Sequence, residues 1–113
     1  MSLKIGVDLR GIHPVWGIAF PIIYAAFRDQ NAACVVTSAN DSKHGVNSLH
    51  YKGKALDLRT KHIKDEMTKL GIIKRIKEQL GPQFDVVFES AGLDNEHLHL
   101  EFDPKEPEKS ESV

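Results

Sequence analysis

Among 113 residues there is a single cysteine, Cys34. One thiol can form no intramolecular disulfide and cannot build a zinc site of the usual thiolate kind. It stands in the apolar run "ACVV", where nothing nearby would activate a thiolate, so it reads as a small buried hydrophobe. An excess of charge is missing too: Lys plus Arg is 15, Asp plus Glu is 16, and the net charge is −1. With no basic stripe of interleaved aromatics, nucleic acid is not expected as a partner. The opening "MSLKIGVDLRG" has no long apolar segment behind a positive flank. The expectation is therefore a soluble chain without signal peptide or membrane anchor, cytoplasmic as synthesised. The length suits one compact domain and is too short for two that each bury a core.

What is present is a succession of short patterned segments. "LKIGVDLRGIHPVWG" is punctuated by Gly and Pro and gives a weak strand signal. "AFPIIYAAFRDQN" predicts a helix beginning near Pro21, with Ile23, Ala26 and Phe27 on one face. "ACVVTS" predicts a buried strand, and "ANDSKHGVNS" is turn chemistry throughout. "KALDLR" alternates, Leu56 and Leu58 on one side, Ala55, Asp57 and Arg59 on the other. From Ile63 to Leu80, Ile63, Met67, Leu70, Ile73, Ile76 and Leu80 recur at helical spacing, and Gly81-Pro82 ends the helix; Met67 and Leu70 are thus expected in the core. "FDVVFES" and "HLHLEF" alternate again, with Phe84, Val86 and Phe88, then Leu98, Leu100 and Phe102, on the apolar side. No internal repeat is visible. The fold class that follows is a small α+β domain over residues 1–103. Its mostly antiparallel sheet packs helices on one face and leaves the other polar. Residues 104–113, rich in Pro, Lys and Glu, are expected to form a disordered tail.

The chemistry belongs to that polar face. His97 and His99 share one side of their strand, about 7 Å apart. Asp57 is on the polar side of its own. If the two strands are neighbours, an imidazole and a carboxylate converge there, and His50, carried by the preceding loop, can complete a three-ligand set. Two His and one carboxylate leave a fourth position open, as a catalytic zinc requires. Gly53, between His50 and Asp57, falls where a turn from loop to strand can need positive φ. Glu96, three residues before His99, is a candidate general base and acid.

"SLHYKGKALD" fits the pattern S-x-H-x-x-G-x-A-x-D, and "EHLH" fits E-x-x-H overlapping H-x-H. Together they resemble the zinc peptidases that comprise the D-alanyl-D-alanine carboxypeptidases and dipeptidases, the L-alanyl-D-glutamate endolysins and the hedgehog signalling domain. The resemblance runs from about Val35 to Phe102. It implies Zn²⁺ held by His50, Asp57 and His99, Glu96 as the catalytic base, and His97 helping to hold substrate or the developing oxyanion. It further implies a peptidoglycan peptide as substrate, cut next to a D-residue. One departure stands out. Where relatives carry an arginine after the "TSG"-like strand end, this chain has Asn40 and Asp41, so the cation beside the carbonyl, worth about 3 kcal/mol of barrier, would have to be Lys43, His44 or Arg59.

Plainer readings accompany each of these residues. H-x-H alone suits a solvated strand face, Ser48 a turn hydroxyl as well as a substrate contact, and Arg59 an ion pair with Asp57. Glu89 and Glu101 read as carboxylates that orient ligand imidazoles or as surface residues. His13, Trp16 and His62 read as packing or surface residues. Two functions follow from different classes: a zinc peptidase, of carboxypeptidase or endopeptidase type and suited to a phage lysis protein, or a zinc-containing binding module that does not hydrolyse. No oligomeric state follows from the sequence.

Overall fold

The computed structural model describes residues 1–39 and 53–104. The elements are β1 (Ser2–Leu3), α1 (Trp16–Arg28), β2 (Val35–Ser38), β3 (Ala55–Arg59), α2 (Glu66–Leu80), β4 (Phe84–Glu89) and β5 (His97–Phe102). The strands form one open mixed sheet in the order β1-β2-β3-β5-β4. Only β1 and β2 run parallel; the other pairings are antiparallel. This is the α+β class expected from the alternation.

Alternation becomes burial in β5, where Leu98, Leu100 and Phe102 are buried and the residues between them are half-buried. Val36, Leu56 and Leu58 join them on the same face. Onto this surface pack Trp16, Ala19, Ile23, Ala26 and Phe27 of α1, and Ile72 and Ile76 of α2. Each large side chain so buried contributes roughly 1.5–3 kcal/mol. Cys34 lies in this core, as its apolar surroundings suggested.

Both helices differ from the sequence expectation in an instructive way. α1 starts at Trp16, not near Pro21, which is inside the helix. The reason is tertiary. Trp16 is wholly buried, and its indole N–H donates to the Gly53 carbonyl at 3.0 Å, which fixes the chain as helix before the proline is reached. α2 starts at Glu66 behind Asp65, whose carboxylate accepts the Thr68 N–H at 2.9 Å, and ends at Gly81 with φ of 83°. Its inward face is the expected one only in part: Ile73, Ile76 and Leu80 meet the core as the spacing predicts. Met67 is 77% exposed and Leu70 45%, while Lys69, Ile72 and Ile76 are buried. In the first turns, Lys69 is turned inward in place of Met67 and Leu70 and pairs with the buried Glu96.

The loop reading of residues 39–48 falls almost entirely outside the described residues. The tail reading of 104–113 does so as well.

Candidate metal centre

β3 and β5 are neighbours, and their register sets Asp57 opposite His99 and Arg59 opposite His97. β4 closes the other side, with Val87 opposite His99 and Glu89 opposite His97. Because the apolar partners of each strand are committed to the helices, these residues stand together on the sheet's free face.

Asp57, His97 and His99 bring their donor atoms within 4.8 Å of one another. His99 Nδ1 is 2.7 Å from Asp57 Oδ1, and its Nε2 is 2.8 Å from Glu101 Oε1. The hydrogen bond to Asp57 holds the imidazolium; burial opposes it, and the bond to Glu101 and the two negative charges reinforce it. The outcome is a pKa raised from 6.5 to about 9. A divalent cation would compete with that proton, because a ligand imidazole must be neutral. His97 Nδ1 donates to the Asn95 carbonyl at 2.7 Å, which leaves Nε2 turned toward Glu89 Oε1 at 2.8 Å and Asp57 Oδ1 at 3.8 Å. Two imidazoles and a carboxylate, with Glu101 behind the His99 ring and the Asn95 carbonyl behind that of His97, form a donor set suited to zinc.

Of the residues marked from sequence, the structure thus brings Asp57, His97, His99 and Arg59 to one surface. His50, Ser48, His44 and Lys43 lie outside the described residues.

Glu96, marked from the sequence as the base, is also bonded into the fold. Its Oε2 accepts Thr60 Oγ1–H at 2.6 Å and Lys69 Nζ–H at 2.8 Å, and its Oε1 accepts the Gly92 N–H at 2.9 Å. Burial on its own would raise this carboxyl, but the bonds from Lys69, Thr60 and Gly92, with the Lys69 charge, bring it down from 4.5 to about 2. It borders the same cavity as Asp57 and His97, and three of its roughly four lone-pair sites hold the segment between β4 and β5 against α2. A base of such low pKa abstracts protons poorly near neutrality.

A further carboxylate, Glu89 at the end of β4, meets the His97 imidazole. Its role was readable only as one of two options from sequence. The signal that could have ranked it higher is hairpin register: once β4 and β5 pair in antiparallel alignment, the last polar-face residue of β4 must oppose the first of β5.

Two features hold the entrance to β3 in place. Gly53 has φ of 75°, and a Cβ there would meet the Gly11 carbonyl oxygen at 2.3 Å, so the glycine is required twice over. Its own carbonyl accepts from Trp16 Nε1 and from the His13 N–H at 2.8 Å. His13 packs on Phe102 and His62 stacks on Phe27, both as packing residues.

Comparison with known proteins adds one match. No curated protein and no solved structure matches the chain. The model of the Hedgehog amino-terminal signalling domain matches residues 28–100, which take in β2, β3 and β4 and reach Leu100 in β5, with Asp57, Glu89, His97 and His99 inside the match and Glu101 just beyond it. That domain's fold falls in the zinc-peptidase-like clan. With well over half of its length matched, the chain belongs to the Hedgehog amino-terminal signalling domain family.

Proposed function

We propose that this protein is a zinc-dependent hydrolase of amide bonds, acting on peptidoglycan-type peptides that contain D-residues. The observation that carries the reading is the convergence of Asp57, His97 and His99 with the flanking Glu89 on one face of the sheet. His50, Asp57 and His99 would hold the metal. Bound zinc supplies Lewis acidity, acidifying water and polarising the amide carbonyl.

The chain's own groups supply the rest. Glu89 holds the proton taken from water and returns it to the departing amine, with His97 Nε2 as its hydrogen-bond partner. His97, kept in one tautomer by the Asn95 carbonyl, presents Nε2 to the same space. Glu101 fixes the His99 ring. Glu96, the carboxylate that the E-x-x-H spacing singles out, is the alternative base; its bonds to Lys69 and Thr60 support a positioning role instead.

Paired variants separate the two carboxylates. Glu89→Gln is expected to keep zinc and lose turnover of a D-residue dipeptide by roughly 10²–10⁴-fold. Glu96→Gln is expected to lower thermal stability and affect turnover less. Reversal of this order would return the base to Glu96.

A second reading is a zinc-containing binding module that does not hydrolyse. Asn40 and Asp41, where an arginine is common, favour it. Peptide binding to the zinc-loaded protein without any turnover would select it.

A further inference from the structure

Beside the metal centre a cavity of about 300 Å³ opens, lined by Lys4, Thr37, Arg59 and Lys61 together with Asp57 and His97. Its charges are unevenly matched. Glu96 on its wall is neutralised by Lys69 at 2.8 Å. Asp57 is engaged by His99 at 2.7 Å. Lys61 Nζ donates to the Asp94 backbone carbonyl and is fixed at the rim. Among the described residues, neither Lys4 nor Arg59 takes part in a side-chain hydrogen bond or an ion pair. Against these cations stands the exposed Asp94 carboxylate at the mouth. The cavity therefore has cationic side chains to spare once its anions have found partners.

We propose that Lys4 and Arg59 form a carboxylate-binding subsite, which takes the free C-terminal carboxylate of a peptide whose last amide bond lies at the metal centre. Arg59 follows Asp57 by two residues on the same strand face, about 7 Å along it. It also faces His97 across the strand pair. In a peptide the terminal carboxylate lies one residue, at most about 3.8 Å, beyond the preceding carbonyl. Allowing a hydrogen bond at the carboxylate, a cation two positions along the strand reaches it while Asp57 and His97 flank the amide. The planar guanidinium matches a carboxylate with two parallel N–H bonds. Lys4 adds a second charge from β1's end, and the Thr37 hydroxyl can donate from β2. The subsite makes the protein exo-acting, a carboxypeptidase or dipeptidase rather than an endopeptidase. This inference rests on the amide-hydrolase reading for its substrate, although its test does not depend on turnover.

The test is calorimetric titration of the zinc-loaded protein with N-acetyl-D-alanyl-D-alanine and with the same dipeptide amidated at its C-terminus. The free acid is expected to bind at least tenfold more tightly than the amide. Arg59→Gln and Lys4→Gln should each remove most of that preference, leaving zinc content and amide affinity unchanged, and Arg59→Lys should restore part of it. Equal binding of acid and amide by the unaltered protein, or no binding of either, overturns the subsite. So does a preference that survives both glutamine substitutions. Acid preference without hydrolysis would retain the subsite and remove the hydrolase reading; hydrolysis without acid preference would do the reverse.

Discussion

Single atoms distinguish the two carboxylates offered as the base. Glu89 and Glu96 are seven positions apart, and sequence spacing favours Glu96 because it precedes His99 by three. In space the two have different partners. Three donors converge on Glu96, whereas Glu89 meets an imidazole. That Asp57 and His99 each stand on the polar face of their strand was legible from alternation, since polar residues on one strand face must share that face. The partner of Glu96 was not, because nothing in a helical hydropathy pattern announces a lysine turned inward. Gly53 was legible as a residue of positive φ, but not the closeness of Gly11. Gly53→Ala should destabilise the protein by about 1–3 kcal/mol from the backbone strain alone. The clash with the Gly11 carbonyl adds to this, and thermal denaturation would register it as a lowered Tm. His97→Ala should retain zinc in a metal-content assay while His50→Ala, Asp57→Ala and His99→Ala lose it, if His97 serves the substrate and not the metal.

At the scale of elements, α2 shows what periodicity does and does not determine. Its existence, its stop at Gly81 and the burial of Ile76 follow from the spacing of apolar residues. What the spacing does not give is the inward turn of Lys69 in place of Met67 and Leu70, which goes with the Lys69–Glu96 pair, buried on both sides. Losing one member of such a pair strands the other, at roughly 3–5 kcal/mol. Lys69→Met should cost about that much in urea unfolding. The same pair sets an acid limb. The Glu96 carboxyl is depressed from 4.5 to about 2 on folding, so the unfolded chain binds more protons between those values. The stability it confers is complete above pH 4.5 and is lost as pH falls through the window toward 2. Lys69→Met should flatten the dependence there. α1 makes the complementary point: proline marks a helix start only where no tertiary bond starts it earlier, and the Trp16 indole does so.

For the molecule as a whole, one division of labour explains both stability and chemistry. Every apolar strand face is used to seat the helices, so the polar residues of β3, β4 and β5 collect on the opposite side. That much was legible in the two-residue period. The insertion of β5 between β3 and β4 was not, since alternation gives each strand two faces without naming its neighbours, and this insertion is what joins Asp57 to His99 across 42 positions of sequence. The central claim is that the joined face binds zinc through these two residues. Equilibrium dialysis against zinc, followed by elemental analysis of the unaltered protein and of Asp57→Asn, tests it most directly. The account predicts one equivalent bound by the unaltered chain and an affinity at least tenfold weaker for the variant. An unaltered protein that binds no zinc, or a variant that binds it equally well, would contradict it.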